Sequence, residues 1–204
     1  MLRPIELPSF LNHKLTTDLN RRLSEIRGRI EAFQDRWDQD APEQFVAADY
    51  EMVHHALAWI QTTQPIVGQR FLEWGCGFAA ASCLAFDLGW TIFAIEAHAD
   101  LIPHARATIA AWPAQVELLH GNFLPHQAEH LAEEPTLPSL GHGGRNAYES
   151  WDLELDDFAI VYSYPWPGED RFHEAVFDQH ANIGALLLMF IGPNEMKLFR
   201  KVAG

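Results

Sequence analysis

Phe71-Leu72-Glu73-Trp74-Gly75-Cys76-Gly77-Phe78-Ala79 is an apolar run that meets an acid and then two glycines one residue apart. The run reads as a buried strand and residues 79–88 as an apolar helix, so the segment is strand, tight turn, helix start. Glycines at such a turn take backbone conformations closed to other residues and let a ligand approach the main chain. The helix start behind them presents unpaired N–H groups to a carboxylate or phosphate. Gly75-Cys76-Gly77-Phe78-Ala79-Ala80 also satisfies the G-x-G-x-x-G/A form of a dinucleotide turn.

Downstream, Thr91-Ile92-Phe93-Ala94-Ile95 is a second short strand pattern, and it ends in Glu96. An acid about 20 residues past the glycines can hydrogen-bond ribose hydroxyls, which narrows the ligand to a nucleoside. Two features favour a nucleoside other than NAD. A carboxylate at Glu73 repels a pyrophosphate and attracts a methionyl ammonium or a sulfonium. The chain also supplies one βαβαβ half and two further strands rather than a second mononucleotide half.

The surrounding pattern is regular. Strands are predicted near residues 69–74, 91–95, 115–119, 157–163 and 184–191, with helices near 79–88, 99–111, 126–134 and 170–180. This alternation predicts an α/β fold, a doubly wound and mainly parallel sheet with helices on both faces. Two helices precede it. Residues 17–39 carry Leu19, Leu23, Ile26, Ile30, Phe33 and Trp37 at alternating spacings of four and three, with Thr17 or Asp18 as N-cap. That stripe suits a helix packed on its own domain, a homodimer through it being the alternative. A second helix near residues 49–61 carries Met52, Val53, Ala56, Leu57 and Ile60. The division expected is a helical extension over 1–44 and a ligand-binding domain over 45–204. Residues 135–150, rich in Pro, Gly, Ser and His, read as a functional loop over the substrate side or as plain disorder.

In order, Glu73-x-Gly75-x-Gly77, Glu96, Gly121-Asn122-Phe123 after the third strand and Ser163-Tyr164-Pro165-Trp166 after the fourth resemble the class I S-adenosylmethionine-dependent methyltransferases. The resemblance covers roughly residues 45–200. It implies the Rossmann-like order 3-2-1-4-5 and S-adenosylmethionine as cofactor. It further implies Glu73, Gly75, Cys76 and Gly77 at the methionine end, Glu96 on the ribose, Asn122 facing the adenine amine and Phe123 beside the ring. Ala79 stands where many members have a third glycine, and Asn122 where many have Asp; both are small or polar enough to serve. Ser163-Tyr164-Pro165-Trp166 is similar to the [Asp/Asn/Ser]-Pro-Pro-[aromatic] motif of amino-methylating members, with Tyr164 in place of the first Pro. It implies catalytic roles for Ser163, Tyr164 and Trp166 around a nitrogen acceptor. The competing reading is a Pro-stiffened turn in which Trp166 merely packs. Glu169, Asp170 and Tyr164 are the general-base candidates by position. A module that binds the cofactor without catalysis, and an NAD-dependent reductase, are the alternative functions.

With 204 residues and 48% hydrophobic content the chain can bury one good core. A formal charge of −14, from 28 acids against 14 Lys and Arg, disfavours nucleic-acid backbones, which need clustered cations. The expected acceptor is therefore a small molecule or a protein side chain. No apolar run has the length of a membrane span and Met1-Leu2-Arg3-Pro4 begins no signal peptide, so the expected compartment is the cytoplasm. Cys76 and Cys83 read as packing thiols, since a disulfide would compete with the helical geometry between them. Among 11 histidines only His126 and His130 stand at a metal-binding i, i+4 spacing on a predicted helix, and no third ligand accompanies them, so no metal is expected.

Overall fold

The structure is a computed structural model that describes residues 1–10, 14–35, 45–126, 128, 145–193 and 195–204. Five parallel strands form its centre: β2 (Arg70–Trp74), β3 (Thr91–Glu96), β4 (Val116–His120), β5 (Ile160–Ser163) and β6 (Leu186–Gly192). They lie in the order β4-β3-β2-β5-β6, which is 3-2-1-4-5 counted over these five. That order is incomplete. β7 (Glu195–Lys201) pairs antiparallel with β6, and β1 (Leu2–Ile5) pairs antiparallel with β7, giving seven strands. β7 is thus an inner strand, and neither it nor the β1 that covers it is among the strands predicted from sequence.

Two apolar layers sandwich the sheet. On one face Phe71, Ile160, Tyr162, Leu186 and Leu188 meet α1 (Thr17–Gln34), α2 (Tyr50–Thr63) and α3 (Ala80–Asp87). On the other, Leu72, Trp74, Val161, Leu187 and Met189 meet Phe172, Val176 and Phe177 of α6 (Asp170–His180) and Tyr148 of α5 (Tyr148–Trp151). Successive strand residues point to opposite faces, so Phe71 and Glu73 share the α2 side while Leu72 and Trp74 share the α6 side. α4 (Ile102–Ala111) follows β3, as the βαβ pattern requires.

Local signals explain most boundaries. Thr16, not Thr17 or Asp18, caps α1: its hydroxyl accepts from the Leu19 N–H at 3.2 Å, while Asp18 pairs with Arg21 at 2.7 Å. Asp49 caps α2 through the N–H groups of Glu51 and Met52. Leu19, Leu23, Ile26 and Ile30 of α1 are buried in the same cluster as α2 and β2, so the stripe weighed as a dimer seam is covered within the chain. Trp37, the 126–134 helix from 129 onward, His130 and residues 135–144 lie outside the described residues. Where description resumes, Tyr148–Trp151 is helical, so the expected loop does not run through residue 150. No helix among the described residues is long and apolar enough to cross a membrane.

Candidate functional site

The strand order reverses between β2 and β5, and the site is built at their carboxyl ends. Gly75 has φ +68° and Gly77 φ +54°, conformations that side chains with a Cβ rarely adopt. A Cβ at Gly77 would run into the Phe45 ring, whereas one at Gly75 would meet nothing within 4 Å. Ala79, at φ +55°, is the third left-handed residue in the turn, at the N-cap of α3.

Two buried carboxyls brace this turn. Glu96, 3% exposed, accepts from the Gly77 N–H at 2.7 Å with Oε2 and from the His98 N–H at 2.8 Å with Oε1. Glu73, 4% exposed, accepts with Oε2 from the Ser82 N–H at 2.8 Å and the Ser82 hydroxyl at 2.5 Å, which pins the strand end to the first turn of α3. Burial pushes the Glu73 carboxyl up to about 8, against the Ser82 hydrogen bonds and with help from the Glu96 charge. Both cysteines are free and buried, and burial pushes both thiols up, which suits packing roles.

A cavity of about 390 Å³ opens above the turn. Of the expected site residues, Glu73, Gly75, Cys76, Gly77, Glu96, Phe123, Tyr164 and Trp166 line it. Asn122 and Ser163 do not. Asn122 Oδ1 accepts from the Leu124 N–H at 2.9 Å and its backbone pairs with Arg145 and Ala147, so the side chain caps its own loop instead of facing the cavity. Ser163 is fully buried, in register with Trp74 on the α6 side of the sheet. Tyr162, its neighbour on the α2 side, does line the cavity, which Trp74 reaches from the α6 side. Of the general-base candidates, Glu169 and Tyr164 line the cavity, while Asp170 is paired with Lys197 at 2.8 Å.

Further residues line the cavity. Tyr50 is the first residue of α2, and Phe45 comes from the segment before that helix, where it packs on Phe78 with ring centroids 5.2 Å apart. The Asp49 cap marks where that segment turns back, but nothing in its composition shows what it covers. On the α6 side, Trp74 stacks on Phe123 at 4.7 Å with 16° between ring planes, and both flank His173. His173 is 4% exposed and its Nδ1 has no hydrogen-bond partner among the described residues. Burial drives its imidazole down to about 3, so it is neutral at ordinary pH. In sequence it reads as one more position on the buried stripe of α6.

No protein-family model matches the chain, and no curated protein matches it. Solved structures do. An O-methyltransferase from Bacillus cereus in complex with SAH has TM-score 0.53 and 13% identity over 88% of this chain and 68% of that one. Cofactor-bound Rv0187 from MTB has TM-score 0.52 and 17% identity over 90% of this chain and 73% of that one. The chain spans 52% of the PH0226 protein from Pyrococcus horikoshii, at TM-score 0.46 and 15% identity. With five parallel strands in the order β4-β3-β2-β5-β6 and an acid-braced glycine turn at the reversal point, the chain has the Rossmann-like fold of the class I S-adenosylmethionine-dependent methyltransferases.

Proposed function

We propose that the protein is an S-adenosylmethionine-dependent methyltransferase acting on a nitrogen of a small molecule or protein side chain. One observation carries this reading: two buried carboxyls, Glu73 and Glu96, wall the cavity beside Gly75 and Gly77, with Tyr164 and Trp166 on the same cavity. An acid-walled turn suits a sulfonium and opposes a pyrophosphate, which argues against the NAD-dependent alternative. Tyr164 and Trp166 share one space with the glycine turn, which favours catalysis over a binding-only module.

In this reading residues 45–204 form the cofactor-binding domain, and 1–44 an extension that completes its sheet and covers α2. The cofactor supplies a methyl group already activated by its sulfonium. The protein's part is alignment: Glu96 and Gly77 hold the ribose side, Phe123 lies beside the base, and Tyr164 and Trp166 position the acceptor nitrogen in line with the methyl carbon. Such positioning can lower a barrier by ~7–11 kcal/mol. The acidic surface favours a cationic acceptor.

The test is methyl-label transfer from S-adenosylmethionine to a panel of amines, hydroxyl compounds and RNA, read by mass spectrometry, for wild type and Trp166→Ala. Label is expected on an amine, with Trp166→Ala keeping cofactor affinity and losing on the order of 10- to 100-fold in turnover. Label confined to RNA or to oxygen would overturn the nitrogen assignment.

A further inference from the structure

On the α2 side of the cavity, Tyr50 and Tyr162 stand beside Glu73 and Tyr164 with no role in the methyltransferase reading. Tyr162 on β5 lies in register with Glu73 on β2, so both side chains leave the sheet on its α2 side. Tyr50, the first residue of α2, and Tyr164, two residues after Tyr162, complete the group. All four line the cavity. Tyr50 and Tyr162 are 5% and 3% exposed, and the Tyr162 hydroxyl is buried with no hydrogen-bond partner among the described residues. The groups sit close enough that ionising Glu73 raises the cost of ionising Tyr50 and Tyr162. Among the described residues, Arg27 is the one cation acting on Tyr50, and neither Tyr162 nor Glu73 has a cation among the charges acting on it.

An unpaired buried hydroxyl is costly unless a ligand or water completes it. Phenol oxygens accept hydrogen bonds, aromatic faces attract cations and a carboxylate pairs with them. An ammonium satisfies all three, donating only and carrying positive charge, and it is more compact than the planar guanidinium that shares these properties. We propose that Tyr50, Tyr162 and Tyr164 over Glu73 form a subsite for a primary alkylammonium group. This deepens the amine-acceptor reading and rests on it. The occupant is the acceptor amine, the methionyl ammonium being already expected beside Glu73 and the glycine turn.

NMR titration of the full chain with n-butylammonium chloride, beside n-butanol as neutral control, tests the assignment. It is run at a pH of about 8.5, above the Glu73 midpoint and below that of an alkylamine, near that of lysine at about 10.4. Butylammonium is expected to bind at least about tenfold tighter than butanol, and Tyr162→Phe and Glu73→Gln each to remove about tenfold, equal to about 1.4 kcal/mol. Both substitutions nearly preserve shape; if Tyr162→Phe fails to fold, Tyr50→Phe and Glu73→Gln decide. Binding to protein saturated with S-adenosylhomocysteine assigns the subsite to the acceptor. Binding only to empty protein, with S-adenosylhomocysteine weakened in the same variants, would give the subsite to the cofactor and overturn the proposal. Tyr162-dependent binding of butylammonium to a chain that never binds S-adenosylhomocysteine would sink the methyltransferase reading and leave the subsite standing. Equal affinity for butylammonium and butanol, or no effect of either variant, overturns the proposal.

Discussion

Gly75 and Gly77 share a left-handed backbone and differ in what surrounds them, so the same substitution should have different consequences at each. An alanine at either position carries left-handed strain of roughly 1–2 kcal/mol. At Gly77 the new methyl must also displace Phe45. Gly77→Ala should therefore be clearly less stable than Gly75→Ala in urea denaturation, and equal losses would contradict the packing of Phe45 on the turn. Two buried titrating groups should shape the pH dependence of stability with opposite signs. His173 is held down near 3 by burial, against the pull of Asp170, so its contribution is present above the ordinary histidine range near 6.5 and is lost as pH falls toward 3. Glu73 is held up near 8, so its contribution is present below about 4.5 and is lost as pH rises through 8. It faces Glu96 from β3, Ser82, Cys76 and Cys83 from the turn and α3, Tyr162 from β5 and Tyr50 from α2. Denaturation across pH should show His173→Leu flatter than wild type on the acid side and Glu73→Gln flatter on the alkaline side. Parallel profiles would mean that these groups are solvated.

At the scale of elements, the central strands were legible because a run such as Leu186-Leu187-Leu188-Met189-Phe190, buried on both faces, has few alternatives. β1 was not legible. Its four residues show no alternation, and Pro4 argues against an inner strand; the structure tolerates it at the sheet edge, where Pro4 stands opposite Phe199. What fastens this end of the sheet was hidden for a different reason. Arg200 on β7 is 8% exposed and donates to the carbonyls of Pro65 at 2.7 Å and Gly184 at 3.0 Å and to Gln64 Oε1 at 3.1 Å. These partners are brought together only by the fold, so no local pattern announces them. Arg200→Met should cost about 1.5–3 kcal/mol, the worth of a hydrogen bond to a charged group, read as a lower midpoint in urea. A change under about 0.5 kcal/mol would place Arg200 with ordinary surface residues.

Over the whole molecule, the sequence showed which strand ends meet but not which face each residue takes there. Glu73, Gly75, Gly77 and Glu96 were legible because local spacing alone brings them together. Asn122 and Ser163 were expected at the cavity and do not line it: one closes a hydrogen bond within its own loop, and the other is fully buried within β5. Tyr50 and His173 reach the cavity from outside the motifs, through packing that no short pattern encodes. The net charge of −14 sets the field into which any acceptor diffuses, and that field attracts cations. All of this depends on the ligand of the glycine turn. Titration calorimetry of the full chain with S-adenosylhomocysteine and with NAD, repeated for Glu96→Ala, addresses it most directly. One S-adenosylhomocysteine should bind per chain, NAD should not bind, and Glu96→Ala should weaken binding by about 1.5–3 kcal/mol. Binding of NAD without S-adenosylhomocysteine, or a Glu96→Ala variant of unchanged affinity, would contradict the account.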